Sequence, residues 1–279
     1  MSRPRHIRAM QEPPPRTLDR RAHLAARLRR FALVEAGTSP LYRRLAAYAA
    51  ARPTLVDLLR LRQPTQPPAN ILLAALQRRL MDRPTAALAR YFATLGGDRA
   101  PDAALEAAFD AFWPGEIAAL ARLVRTRRVA TNEVARSAVL RLAHVEIARA
   151  LVERGRPPTA HLVEIGTSAG FQLLWDRFAY LYGEMRFGHT DAPLELATEW
   201  RGAAPPDAHA PFVPATRLGI DIDPPNLHDG EDMAWLRALI WPEHRARAAR
   251  FDRVLALARA DPPPVRRADA LASLPDGLD

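Results

Sequence analysis

Apolar residues recur at helical spacing over residues 18–156, which predicts an all-helical region. Leu24, Leu28, Phe31 and Glu35 share one face of a first helix, and Gly37 can end it. Ser39 followed by a proline predicts the N-cap of the second. Further helices are predicted over residues 70–81, 85–95, 101–113, 114–125 and 131–154, the last capped by Thr131 and ended by Gly155.

The period changes after residue 158. Residues 161–165 form a short apolar run that predicts a strand, and Gly166-Thr-Ser-Ala-Gly170 follows it directly. A helix is predicted next, through residues 171–181. Strand, glycine turn and helix open a βαβ unit. Gly166 allows the tight turn, and Gly170 lets either the helix start close to the sheet or a ligand approach the backbone.

Two chemistries and a purely structural role compete for this turn. Glu164-x-Gly166-x-Ser168-x-Gly170 resembles the first motif of class I S-adenosylmethionine methyltransferases, with Ser in place of the middle Gly. The same turn satisfies Gly-x-Ser-x-Gly, the nucleophile elbow of serine hydrolases with Ser168 as nucleophile. A hydrolase needs several strands before its elbow, and helices stand there instead. Alternatively, the turn only packs a helix on a sheet.

Later segments favour the methyltransferase interpretation. Residues 217–224 predict a strand ending in acids, where a carboxylate accepts hydrogen bonds from ribose hydroxyls. Asp221 is the first choice and Asp223 the alternative. Asp221 lies 55 residues beyond Gly166 instead of about 20, which predicts an insertion near residues 184–214 with strands at 185–187 and 194–200. Glu184 meets the spacing rule but lacks the Gly-x-Asp context.

The C-terminal segment completes the series. Helices are predicted over residues 231–239 and 243–259, followed by a third strand near residues 264–270. Methyltransferases carry an Asp-Ala at this point beside the adenine, and Asp269 is the corresponding residue here. The motif thus gives S-adenosylmethionine as the predicted cofactor, with Glu164, Gly166, Ser168, Gly170, Asp221 and Asp269 as its predicted site.

Three side chains near these motifs have competing interpretations. Asp176 can face a substrate, whereas its neighbours Trp175 and Phe178 are predicted core residues. Asn132 and Glu133 stand at a predicted helix N-terminus, where capping explains both, although they can also reach toward a cofactor cleft.

Charge narrows the classes of partner. All 40 basic residues are Arg, and the formal net charge is +9. Nine of these Arg lie in residues 1–30 against Glu12 and Asp19. Most of the net charge therefore lies in a basic N-terminal arm, which is predicted to be disordered over residues 1–17. No aromatic residue stands among its arginines to stack on bases. Nucleic acid is not the predicted partner.

Other classes of site are excluded or disfavoured by composition. The chain has no Cys, which excludes disulfides, thiolate nucleophiles and cysteine-based zinc sites and fits a reducing cytoplasm. The eight His show no metal-binding spacing, so no metal is predicted. No apolar run is long enough to predict a membrane span.

Several strings together resemble a bacterial family of uncharacterised proteins, a domain-of-unknown-function family. They are residues 163–180, Pro68-Ala69-Asn70, Thr131-Asn132-Glu133-Val134, Arg217-x-Gly219-x-Asp221-x-x-Pro224 and residues 236–243. The resemblance covers most of residues 30–275. It implies a helical N-terminal region joined, from residue 157, to a methyltransferase-like Rossmann domain. It implies no methyl acceptor.

The family pattern continues past Asp279 with another strand and helix. The predicted fold is therefore α/β, a helical region followed by a C-terminally truncated Rossmann-like sheet. Without a fourth strand, residues 161–165 form an edge strand with unpaired backbone groups. Another copy of the chain or the N-terminal helices can cover this edge, or the chain is a truncated product, and marginal stability with self-association into a homo-oligomer is predicted. The missing strand also leaves a non-catalytic binding or assembly module as the alternative to an enzyme.

Overall fold

We describe the protein from a computed structural model, which describes residues 17–130, 133–202 and 212–273. The predicted basic arm lies almost wholly outside these residues. The fold is mixed α/β, as predicted. Its helices are α1 (Thr17–Arg30), α2 (Pro40–Ala50), α3 (Pro53–Leu58), α4 (Pro68–Met81), α5 (Leu105–Thr126), α6 (Ser137–Glu153), α7 (Gly230–Ala238), α8 (Arg245–Ala260) and α9 (Ala270–Ser273). Its strands are β1 (Thr159–Ile165), β2 (Ala179–Tyr182), β3 (Met185–Phe187), β4 (Glu195–Thr198), β5 (Val213–Asp221) and β6 (Val265–Arg267).

Helices α1, α2, α5 and α7 pack against α4. Most of α4 is buried, including all of residues 71–78, because neighbours cover it on nearly every side. Helix α1 continues as a π-helical turn over Phe31–Glu35. The Ser39 hydroxyl accepts the Tyr42 N–H, which confirms the predicted cap of α2. Inside the core, the Tyr42 hydroxyl donates to Gln77 Oε1 at 2.9 Å, so the buried amide keeps a partner.

Three helix predictions need correction. The two helices predicted over residues 101–113 and 114–125 are one helix, α5 (Leu105–Thr126), which begins only at Leu105 and contains Pro114. Residues 85–95 form two short 3₁₀ turns, Ala87–Tyr91 and Ala93–Leu95. Helix α6 begins only at Ser137, after a 3₁₀ turn capped by Glu133. Thr131, the predicted cap, lies outside the described residues.

The main sheet is parallel, with the strand order β1-β5-β6. Leu162 pairs with Arg217 and Ile165 with Ile220, after a bulge near the start of β1. Strand β6 pairs with the end of β5. Among the described residues β1 has a partner on one side only, as the edge-strand prediction requires. Val163 and Ile165 are exposed on it.

The helix predicted after the glycine turn is wrong beyond residue 177. A 3₁₀ helix, Phe171–Arg177, is followed by β2, so Tyr180 lies on a strand. Strand β2 pairs antiparallel with β3 and parallel with β4 in a second, small sheet. This sheet confirms the predicted strands of the insertion. Residues 203–211 of the insertion lie outside the described residues.

Two apolar cores meet at α7. The first contains residues of α1–α5 and the 3₁₀ turns, with Trp235 of α7. The second contains α6, the 3₁₀ helix after the glycine turn, the small sheet and α8, with Met233 and Leu236 of α7. Helix α6 precedes residue 156 but packs in the second core. The domain boundary predicted at residue 156 stays a prediction. No described helix is long and apolar enough to cross a membrane.

Candidate functional site

A cavity of about 450 Å³ opens at the carboxyl ends of β1 and β5. Its wall combines the glycine turn, the segment after β5, the segment after α5, helix α7 and β6. The lining residues are Gln66, residues 126–130, Gly166, Ser168, residues 221–225, Asp232, Trp235, Leu236 and Arg267. Of the predicted cofactor residues, the structure brings Gly166, Ser168 and Asp221 to this cavity, together with the alternative acid Asp223.

The glycine turn follows β1 through left-handed backbone. Gly166 has φ 72° and a Cβ there would meet no atom within 4 Å, so its backbone faces open space. Ser168 has φ 55°, a conformation that few residues other than glycine adopt. The Ser168 N–H donates to Asp221 Oδ2 at 2.8 Å, which holds the turn against the end of β5.

Both carboxylate oxygens of Asp221 accept hydrogen bonds from backbone N–H groups. Oδ2 accepts the Ser168 N–H, and Oδ1 accepts the Asp223 N–H at 2.9 Å. Its backbone carbonyl also accepts the Ala268 N–H beyond β6. The residue therefore ties the turn after β1, the bend after β5 and the end of β6 together, at the rim where ligands of parallel sheets bind.

Glu164 supports the turn from behind. Its Oε2 accepts the Thr167 hydroxyl at 2.7 Å, and Glu164 does not line the cavity. Burial raises the pKa of Glu164 above its ordinary value, although Thr167 and Arg136 act in the opposite direction. Thr167 stands over Gly219, where an added Cβ would lie 2.5 Å from its Cγ2. Gly219 thus permits the contact between turn and sheet.

The cavity wall carries charges of both signs. Asp223 Oδ1 accepts from Arg267 Nη1 at 2.6 Å, and Arg128 Nε lies 3.9 Å from the other Asp223 oxygen. Asp232 pairs with Arg127. Burial by itself would raise the pKa of Asp232, but the Asn226 N–H and Arg127 outweigh it, so this pKa lies below its ordinary value. The mixture suits a ligand that itself bears both signs.

Sequence reasoning missed the segment after α5. Gln66 Oε1 accepts the Val129 N–H at 2.6 Å, and the Trp235 indole donates to the Arg128 carbonyl at 2.7 Å. These bonds hold residues 126–130 over the sheet, where Arg127 and Arg128 line the cavity. The sequence signals them only by a local run of arginines, because their partners lie far away along the chain.

Comparison with known proteins identifies the family. The family model of uncharacterized proteins conserved in bacteria, DUF2332, matches residues 25–279. The chain belongs to the DUF2332 family. No curated protein and no solved structure matches it. Membership of an uncharacterised bacterial family, predicted from the sequence, is confirmed, whereas the methyltransferase-like Rossmann domain stays a prediction.

Besides Glu164, two more predicted cofactor residues of this DUF2332 chain, Gly170 and Asp269, lie outside the cavity lining. A Cβ at Gly170 would lie 2.8 Å from side-chain atoms of Pro263 and Val265, so this glycine serves close packing against the sheet. Asp269 is exposed, and its Oδ1 accepts the Leu271 N–H at the start of α9. Its predicted role beside adenine stays a prediction.

The Ser168 hydroxyl of this DUF2332 chain is buried. Its Oγ has no hydrogen-bond partner within the described ranges, and the residue is 4% exposed. A hydrolase requires a base in contact with the nucleophile. Within the described residues, His144 packs on Trp175 and His161 contacts Thr216. Since Ser168 Oγ has no partner there, none of the other described histidines, among them His189, His228 and His244, contacts it either, and His209 lies outside the described residues. Among the described residues the geometry therefore offers the elbow interpretation a left-handed backbone but no base in contact.

Two further predictions about side chains are resolved in the DUF2332 chain. Asp176 receives two hydrogen bonds from the Arg217 guanidinium, at 2.7 and 2.9 Å, and Trp175 and Phe178 are buried as predicted. Asp176 therefore holds the 3₁₀ helix on β5. Glu133 is a cap, since its carboxylate accepts the Ala135 N–H. Asn132 lies outside the described residues.

Proposed function

We propose that this cavity binds S-adenosylmethionine and that the protein is a methyltransferase-type enzyme with an unidentified acceptor. One observation carries the proposal: the glycine turn after β1 and the acidic end of β5 line the same cavity. Nucleotide-type cofactors bind in this position, outside the carboxyl ends of parallel strands. The strand order β1-β5-β6 is compatible with one half of a doubly wound sheet.

The ribose is assigned to Asp223, the alternative acid. Both Asp221 oxygens already accept backbone N–H groups. The Asp223 carboxylate, whose Oδ1 accepts from Arg267, lines the cavity and is 47% exposed, so it keeps room for a further donor. Ile222 stands beside it, 62% exposed although apolar, as a neighbour for a purine ring. Asp221 then acts as a positioning residue for the turn.

The amino-acid end of the cofactor is assigned to the part of the cavity that is lined by the glycine turn, the segment after α5 and Asp232. Gly166 exposes its backbone there, and Arg127, Arg128 and Asp232 supply charges for a carboxylate and an ammonium group. When bound, the cofactor supplies an activated methyl group. The protein's own task is to hold donor and acceptor in line, which needs no dedicated base.

Calorimetric titration with S-adenosylmethionine and S-adenosylhomocysteine tests this proposal. We expect the unmodified chain to bind both. Asp223→Asn removes a charged acceptor, and we expect binding to weaken by about tenfold or more. Asp98→Asn is the matched control, because Asp98 is exposed and away from the cavity lining. The absence of heat with either compound, or equal affinities in all three proteins, overturns the assignment.

A non-catalytic binding or assembly module is the second candidate. The observation that favours it is the exposed outer edge of β1, with Val163 and Ile165 47% and 60% exposed. Such an edge is a template for pairing with another chain. Cofactor binding without methyl transfer to any offered acceptor supports this candidate.

The third candidate, a serine hydrolase, predicts that Ser168 reacts covalently. Because the Ser168 hydroxyl is buried and lacks a base within the described residues, we expect no labelling by a fluorophosphonate. Labelling that is lost in Ser168→Ala would revive the hydrolase and contradict the methyltransferase assignment of the turn.

A further inference from the structure

A second, smaller cavity adjoins the first. It has a volume of about 120 Å³ and shares the wall formed by Val129 and Ala130 with the large cavity. Asn70 of α4 and Arg247 of α8 contribute its polar atoms, while Ala74 and Trp241 contribute apolar surface. The two spaces therefore lie on either side of one short segment of backbone.

Positive charge is concentrated at the Arg247 side of this small cavity. Arg247 Nε lies 2.6 Å from Glu133 Oε2, and Arg250 lies 3.5 Å from the other oxygen of the same carboxylate. Burial lowers the pKa of Arg247, and the positive charges of Arg250 and Arg136 lower it further against the effect of Glu133. Two guanidinium groups thus flank the Glu133 carboxylate, and the charge of Arg136 acts both on Arg247 and on Glu164.

Asn70 supplies a neutral group across the small cavity. Its side-chain amide makes no hydrogen bond to the residues the structure describes, and it is half-buried. An amide N–H₂ and a guanidinium are both donors. Arg247 Nε already faces Glu133, whereas the Asn70 amide has no acceptor among the described residues. Two donor groups that line one small space, with Arg250 close by, favour an anionic ligand with oxygen atoms.

We propose that the small cavity binds the carboxylate of a small organic acid. The apolar walls accept a short hydrocarbon chain next to that group. The volume equals the share of roughly four water molecules in the liquid, which a carboxylate with two or three methylenes fills. This assignment rests on the proposed function: the acid is the substrate, held beside the cofactor across Val129 and Ala130.

Binding of butyrate tests the proposal, with butyramide as its neutral isostere. We expect butyrate to raise the melting temperature and to titrate with a millimolar Kd, while butyramide binds at least tenfold more weakly. Arg247→Gln should remove the preference for butyrate. Arg253→Gln is the matched control, because Arg253 lies exposed on the same helix and outside the small cavity.

Asn70→Ala provides a second variant in case the loss of Arg247 disturbs folding. Since the Asn70 amide has no partner within the described residues, this variant should fold like the wild type and bind butyrate several-fold more weakly. No butyrate binding by the wild type, equal binding of both probes, or binding unaffected by both cavity variants overturns the proposal. Butyrate binding without binding of S-adenosylmethionine would retain the acid site and reject only the methyltransferase.

Discussion

The Glu164 carboxyl has a higher pKa than an ordinary surface carboxyl. It is half-buried behind the glycine turn, where burial raises its pKa and the Thr167 hydroxyl donates to it. A raised folded-state pKa means that the group stabilises the fold at pH values below its unfolded pKa. This contribution is lost as the pH rises through the higher folded pKa.

Glu164→Gln should therefore change the pH dependence of stability. The amide oxygen can still accept from Thr167, and it carries no charge that burial penalises. We expect the variant to gain in melting temperature relative to the wild type as the pH rises from 4 to 8. Glu35→Gln, at an exposed carboxyl, should show no such trend. A wild type that gains over Glu164→Gln with rising pH would contradict the shift.

Individual residues were predictable where their partners are close in sequence. The Ser39 cap binds Tyr42, three residues away, and was predicted correctly. The Asp221 carboxylate binds the Ser168 N–H, 53 residues away, and local pattern cannot reveal that bond. The sequence placed Asp221 at the end of a strand but not its hold on the turn.

At the scale of elements, the glycine turn shows two separate ways in which an added side chain destabilises the fold: backbone strain and steric overlap. Gly166 and Gly170 both have positive φ, but a Cβ meets open space at the first and two side-chain atoms at 2.8 Å at the second. Gly37 has neither constraint, since its φ is not positive and no atom lies within 4 Å. The three positions form a natural series.

Alanine at each position should separate these costs. Gly37→Ala should be neutral or stabilising by up to about 1 kcal/mol. Gly166→Ala should lose about 1–2 kcal/mol to backbone strain alone. Gly170→Ala should lose that and a further 1–3 kcal/mol through overpacking. Urea unfolding measures the free energies, and equal losses at Gly166 and Gly170 would show that Pro263 and Val265 give way freely.

Elements set by local periodicity were predicted well, and those set by pairing were not. Helices α2, α4 and α7 lie close to the ranges that their apolar spacing predicts, and α2 also has its predicted Ser39 cap. Residues 171–181 also show helical spacing, yet β4 pairs with residues 179–182 and turns them into a strand. Two prolines, at residues 101 and 114, suggested two helices, although Pro114 lies within α5.

For the whole molecule, we expect the edge of β1 that is unpaired among the described residues to govern association. The strand is seven residues long, contains no Pro or Arg, and carries exposed Val163 and Ile165. We expect concentration-dependent self-association, measured by light scattering after size exclusion. Val163→Lys should reduce it, because charge at an edge opposes pairing.

The control for this prediction is Val152→Lys. Val152 is exposed on α6 and belongs to no strand, so its substitution should leave association unchanged. A wild type that stays monomeric at all concentrations and melts cooperatively at high temperature would refute both the association and the marginal stability. Equal effects of the two variants would instead point to general surface hydrophobicity.

The late position of Trp235 in the sequence means that the first core is completed only late in synthesis. Trp235 is buried in the first core, whose other buried members, among the described residues, all precede residue 125. A nascent chain therefore completes α1–α5 long before the side chain that closes their core has been made. Until then a gap the size of an indole remains in the helical part. Ribosome-bound chains ending before and after α7 should differ in resistance to proteases, with the helical part becoming fully protected only when α7 has emerged.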